Sequence, residues 1–525
     1  MKRISQTSTD LKSWYILCAL SLLSYLPFIF NFLWGNHDWG WVKDHTPLLS
    51  GVFEGRFSQF ILPIILFEGN ILPVLSITIS IFLYGTAATI LLKLLDAPKT
   101  SLIFILLGLN IVTAPYTLSW LYFAFLILSC LSWPLIIIIG FWLLQTKLTA
   151  KIKISVSIIL FTLALGGYPP VINMIGVILC ILALNDLCLK KLSVKTLICK
   201  YLPHLVAIVI SIILLFTIQH LLKQHHWQYD TYNTAGITLE TLKEKLPPAL
   251  TNAFQQFIIT NSFINYGYKY LSLCLILSAL LELLKNLPKR TTNILAFIIL
   301  ISGILISTIA TLVVAQNERY VRYEPRIEFF SLPYIYTFAA TVLYKSSIRF
   351  LKNITFIILL ILFFLNLTNN AYASKVWKLG FLAENNFSER FISRLENNQN
   401  FTPQKNKYTF VQGGTFNLRK RYYISAPTNS EDSYTLLAPY IPWHLPYKAY
   451  TFYYPYAFVE KDFDVYWSYI SPFEIPFSQE LENYIKNLAT PWPQPNAVFI
   501  KDTLIILTLT YEGRGRAVNW LNKYY

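Results

Sequence analysis

Between Asn36 and Phe57 the chain reads Asn36-His37-Asp38-Trp39-Gly40-Trp41-Val42-Lys43-Asp44-His45 and then Phe53-Glu54-Gly55-Arg56-Phe57. A carboxylate such as Asp38 or Asp44 can take a proton from a hydroxyl, and a guanidinium such as Arg56 can grip a phosphate through two oxygens at once. A base and an anion hold are the two groups needed by a reaction in which a hydroxyl attacks and a phosphate leaves. Ordinary surface charge is the alternative, since any loop carries charges. His37, Asp38, Asp44 and His45 also suggest a metal, because residues seven apart can share a helix face. Hard cations prefer oxygen donors without imidazole, and zinc sites show His or Cys in tighter pairs. No metal and no cofactor are therefore expected.

A second cluster, Gln316-Asn317-Glu318-Arg319-Tyr320-Val321-Arg322-Tyr323-Glu324-Pro325-Arg326, sets three arginines between two apolar runs. Arg319, Arg322 and Arg326 could hold an anion, or they could pair with Glu318, Glu324 and Glu328 or with lipid headgroups. A third place is Gly166-Gly167-Tyr168-Pro169-Pro170, where Gly-Gly and Pro-Pro break two helices. Tyr168 could line a sugar pocket there or sit in an interfacial aromatic belt.

These residues must be positioned by membrane helices. The 525 residues carry a net charge of +16, yet only 13% are charged and 55% are hydrophobic, with a mean hydropathy of +0.48. That excludes a soluble multidomain enzyme, and sparse basic charge on so apolar a chain speaks against nucleic acid as a partner. Apolar runs long enough to cross about 30 Å of hydrocarbon lie at about 14–34, 71–92, 101–115, 118–146, 153–167, 170–186, 202–222, 269–285, 292–315, 327–344 and 352–368, eleven in all. Lys2, Arg3 and Lys12 precede the first run, which lacks a cleavage-site pattern and reads as an uncleaved helix.

Charge gives the orientation. Segments 1–13, 93–100, 147–153, 186–200, 285–290 and 345–352 hold 18 Lys and Arg in 57 residues, against 8 in the 95 residues of segments 35–70, 223–268 and 316–328. The first set is expected in the cytoplasm. The loops 35–70, 223–268 and 316–328 and the tail are then expected outside. All six cysteines, Cys18, Cys130, Cys180, Cys188, Cys199 and Cys274, fall in apolar runs or cytoplasmic loops. Outward parts without cysteine fit a bacterial inner-membrane protein. No P-loop and no GxGxxG occurs, so soluble-nucleotide chemistry has no support.

The chain divides into a membrane domain, 1–368, and an outward C-terminal domain, 369–525. The second opens with a helical pattern over Lys375–Asn397, followed by strand-like runs at Tyr408–Gln412, Tyr422–Ser425 and Ala497–Thr510, which predict a small α/β domain. Residues 440–470 hold 13 aromatics, Trp443 and Trp467 among them. Such rings stack on sugars, lie at headgroup level or build a core.

The order of these parts resembles the bacterial Gtr glucosyltransferases of type II: a basic start, one helix, an N-x-D-W loop, a Gly55-Arg56, a tyrosine hairpin at Tyr168, a late Pro325-Arg326 and an outward tail. The resemblance runs over about residues 14–370. It implies a GT-C-like all-α polytopic fold of about eleven helices and a transferase moving glucose from a polyprenyl-phosphate donor to lipopolysaccharide O-antigen or another surface glycan. The family's acidic pair falls on His37 and Asp38, so only the second acid is kept, and Pro169 stands where the family commonly has Gln.

On this reading Asp38 or Asp44 is the base, and Arg56, Arg319, Arg322 and Arg326 hold the donor phosphate. His37, Trp39, Tyr168 and Trp443 are the candidates for contact with sugar or acceptor. The partners are a lipid-linked sugar donor, a glycan acceptor and membrane lipids. Two other classes stand beside the enzyme: a flippase or transporter of lipid-linked glycan, and a membrane assembly factor. A transporter needs ionisable residues at mid-membrane and often related halves. Glu282 is the main charge inside a run, and no repeat is visible.

Overall fold

The computed structural model describes residues 2–31, 51–98, 101–121, 124–225, 227, 239–258, 264–314, 325–402, 409–413, 478–502 and 504–508. They form two compact units that divide between Ala373 and Ser374.

The first unit is a bundle of apolar helices, and the protein is a polytopic membrane protein. Among the described residues nine helices are long and apolar enough to cross a membrane: Leu11–Phe30, Pro73–Leu94, Leu102–Leu121, Leu126–Leu144, Ala150–Gly167, Val171–Leu189, Val194–Gln224, Tyr266–Asn286 and Arg349–Lys375. Two expected spans are shorter helices. The run over 292–315 is interrupted after Thr291–Ser307 and resumes as Thr311–Val314. At the break Thr308 Oγ1 donates back to the Leu305 carbonyl at 2.7 Å, and buried Asn173 accepts from the Thr311 N–H at 2.8 Å. The run over 327–344 becomes Leu332–Lys345, with Pro333 in its first turn, where a missing N–H costs nothing. The boundary between the expected runs 101–115 and 118–146 also moves. Pro115–Thr117 forms a tight turn inside one crossing, Leu102–Leu121, rather than ending it.

Burial separates inner from outer helices. Leu102–Leu121 and Val171–Leu189 are 94% and 89% buried within the protein, whereas Val194–Gln224 and Arg349–Lys375 are 22% buried. A helix apolar on every side is suited to either place, and polar links tie the inner helix Leu102–Leu121 to its neighbours. Asn110 Nδ2 donates to Thr337 Oγ1 at 3.0 Å, Asn366 Nδ2 to Thr113 Oγ1 at 3.2 Å, and Tyr25 Oη to the Val112 carbonyl at 2.6 Å. In lipid such bonds join helices where hydrophobicity cannot.

One end of the bundle is closed by ion pairs. Buried Asp186 meets Lys190 at 3.0 Å and Lys200 at 2.5 Å and accepts from Tyr201 Oη at 2.8 Å, while Lys190 also reaches Asp96 at 2.7 Å. Lys345 Nζ donates to the Leu95 carbonyl at 2.6 Å. Burial works against the Lys190 ammonium, but its hydrogen bonds to Asp96 and Asp186 outweigh it and hold the pKa above the ordinary lysine value. Three segments that charge counting groups together, 93–100, 186–200 and 345–352, are thus joined at one end.

The second unit contains a three-stranded sheet in the order β1 (Thr409–Gly413), β3 (Leu504–Thr508), β2 (Val498–Lys501). β1 and β3 are parallel and β2 and β3 antiparallel. The run expected as one strand over Ala497–Thr510 is two, because the chain turns at Asp502 with φ +50°. The helical pattern expected over Lys375–Asn397 belongs to the 48-residue helix Arg349–Glu396. Its Arg394 lies 4.5 Å over the Trp492 ring and donates to the carbonyls of Gln494 and Pro493. The run Tyr422–Ser425 lies outside the described residues.

Candidate active site

At the end of the bundle opposite the ion-pair network, the segment Gly51–Phe60 folds back on itself. The Gly55 N–H donates to the Val52 carbonyl at 2.9 Å and the Arg56 N–H to the Gly51 carbonyl at 2.6 Å. Gly55 sits at φ +73°, a conformation that costs a side-chain-bearing residue strain. This is the physical reason for glycine before Arg56. Gln219 Nε2 fixes the turn by donating to the Gly55 carbonyl at 3.2 Å, and Ser129 Oγ donates to the Gln59 carbonyl.

The same segment is pressed against the tyrosine hairpin. The Ser58 N–H donates to the Gly166 carbonyl at 3.3 Å and Ser58 Oγ to the Leu163 carbonyl at 2.5 Å. A Cβ on Gly166 would stand 2.2 Å from the Phe57 ring, and one on Gly167 2.0 Å from the Trp133 ring. Gly-Gly is therefore a close-approach device that brings the Arg56 loop onto the end of Ala150–Gly167.

Tyr168 is only 4% exposed, so it is no lipid-facing belt residue. The Arg56 guanidinium lies 5.4 Å over its ring centroid, a cation–π distance. Edge-on to Tyr168 stands Trp120 at 5.0 Å, and Phe330 lies beside it at 5.7 Å. Phe330 follows the short helix Pro325–Glu328 that carries Arg326. Arg56 thus lies over an aromatic floor of Tyr168, Trp120 and Phe330, and Arg326, 270 positions further along the chain, belongs to the turn that leads into Phe330. Arg56 also pairs with Glu54 at 2.9 Å.

Of the other residues singled out in the sequence, His37, Asp38, Trp39, Asp44, Arg319, Arg322 and Trp443 lie outside the described residues. What sequence reasoning missed is a buried ion pair beside Arg326. Lys269 Nζ lies 3.6 Å from Glu328 Oε1, with neither side chain more than 2% exposed. Lys269 also donates to the Gln256 carbonyl and stands 5.3 Å over the Tyr116 ring. Lysine as the first residue of an apolar run reads as a boundary, and only the fold shows that it points inward. Asn173 was likewise silent. Fully buried, it donates through Nδ2 to the Thr308 carbonyl at 2.9 Å and accepts through Oδ1 from the Thr311 N–H at 2.8 Å, satisfying the backbone groups freed where the helix breaks.

The arrangement defines a polytopic membrane protein with arginine and packed aromatic side chains gathered at one end of its helices. The sequence profile of the family described as Glucosyl transferase GtrII matches residues 45–344, and the chain belongs to that family. It is thus a glucosyltransferase by family, with a sugar donor and a glycan acceptor. The matched residues include Arg56, Tyr168 and Arg326 and begin after Asp38 and Asp44. Neither a comparison with curated proteins nor one with solved structures gave a match.

Proposed function

We propose that the protein transfers glucose from a polyprenyl-phosphate-linked donor to lipopolysaccharide O-antigen or a similar surface glycan, on the outer side of a bacterial inner membrane, in the inverting manner of a GT-C glycosyltransferase. The observation that carries this reading is Arg56 over the buried Tyr168 ring, next to the segment that carries Arg326, at one end of a membrane bundle in a member of a glucosyltransferase family. Asp38, with Asp44 as the second candidate, removes the proton from the acceptor hydroxyl. The oxygen attacks the anomeric carbon, the bond from that carbon to the phosphate oxygen breaks, and its electron pair leaves with the phosphate. The lipid phosphodiester carries one negative charge and the departing monoester gains a second. Guanidinium groups aimed at those oxygens therefore bind the transition state more strongly than the ground state. Arg56 and Arg326 supply them, joined by Arg319 and Arg322. The aromatic floor beneath excludes water from this charge.

The lipid-linked donor follows from location, because nucleotide sugars are not found outside the inner membrane. Detergent-purified protein should move labelled glucose from glucosyl polyprenyl phosphate to lipopolysaccharide, and give no product from a nucleoside-diphosphate glucose. Detergent abolishes any gradient, so product there excludes a transporter. Transfer from the nucleotide sugar alone would overturn the proposal.

A further inference from the structure

The Pro325–Glu328 helix is a single turn of four residues, too short to hold its own direction. Residues two apart on a helix do not share a face, so Arg326 and Glu328 project to opposite sides of this turn. Whatever fixes one side chain aims the other. Glu328 is fixed from several directions. The residue is 1% exposed, and its carboxylate is 3.6 Å from Lys269 Nζ. Its carbonyl accepts from the Ser331 N–H at 3.0 Å. Lys269 is anchored in turn by the Gln256 carbonyl and the Tyr116 ring, so that it ties the segment before Tyr266 to the segment carrying Arg326.

We propose that Lys269 is a positioning residue of the anion site: through its buried pair with Glu328 it sets the rotation of the Pro325–Glu328 turn and so aims Arg326 beside Arg56. This rests on the phosphate-binding role given to Arg326 above. Lys269 touches no substrate and acts through Glu328 on Arg326.

The test is the affinity of the detergent-purified full chain for polyprenyl phosphate, measured with a melting curve on each variant. Lys269→Met should weaken binding at least about tenfold, because it leaves the buried Glu328 carboxylate without its ion-pair partner and frees the turn that carries Arg326. Arg326→Lys should weaken it as well. The two together should be within about threefold of Arg326→Lys alone, because residues acting through one group are not additive. A structural role for Lys269 gives a lowered melting point with affinity of the folded fraction intact, or effects that multiply, and either result overturns the proposal. Should Lys269→Met fail to fold, Glu328→Gln keeps the shape and an acceptor for Lys269, and must show the same non-additivity with Arg326→Lys. If Arg326→Lys binds as wild type, the phosphate reading itself fails. If Arg326→Lys is weak and Lys269→Met and Glu328→Gln are not, only the positioning role fails.

Discussion

Asp38→Asn exchanges one oxygen for an amide nitrogen and removes the proton acceptor without changing shape. Loss of a general base costs about 10²–10⁴ in rate, so turnover should fall at least about a hundredfold while the melting point holds. Wild-type turnover in Asp38→Asn, with Asp44→Asn dead, would move the assignment to Asp44. At this scale the sequence was legible where a residue type is scarce in its setting. Arginines between apolar runs contradict the usual charge bias, and Arg56 and the segment that carries Arg326 both adjoin Tyr168. Lys269 shows the limit. It and Glu328 are separated by 59 positions, each at the edge of an apolar run where charge is ordinary, and no local pattern says that they share a buried pocket. Asn173 is similar: its work is defined by a helix break 135 positions away.

The element that places Arg56 is a loop braced by a glycine pair, and the brace can be tested by adding one carbon. Gly166→Ala puts a Cβ 2.2 Å from the Phe57 ring, so Phe57 and the adjoining Arg56 must shift. Overpacking of this kind costs about 1–3 kcal/mol, and the melting point should fall together with affinity for polyprenyl phosphate. Phe57→Leu in the Gly166→Ala background shortens the obstacle and should recover part of both. An unchanged protein would mean that the loop is not pressed on the hairpin. Element boundaries were readable where hydropathy changes sharply and misread where a polar residue does its work inside an apolar run. Pro115 reads as an end but only tightens a turn within a crossing. Thr308 reads as part of a helix and is the position where one ends. Hydropathy sums over residues, whereas these outcomes depend on single backbone hydrogen bonds.

Across the whole molecule, the ends of the bundle sort its loops into two sets. The Asp96, Asp186, Lys190 and Lys200 network gathers segments rich in lysine and arginine, and the Arg56, Tyr168 and Arg326 site gathers the segments at the other end. A reporter fused after Asn370 should be active only outside the cytoplasm, and one fused near Lys195 only inside, as the positive-inside bias requires. The reverse pattern would put the site among nucleotide sugars and remove the argument for a lipid-linked donor. The helical class and nine of the eleven expected crossings were legible, among the described residues, because the bilayer imposes one length on every span. The meeting of distant loops was not, since it depends on helix packing. The central claim is that Arg56 and Arg326 hold the donor phosphate over Tyr168. A structure of the full chain with bound polyprenyl phosphate tests it most directly. Phosphate oxygens are expected about 2.8 Å from guanidinium nitrogens of both arginines; a headgroup at the Asp186 end, or one touching neither arginine, would overturn the assignment.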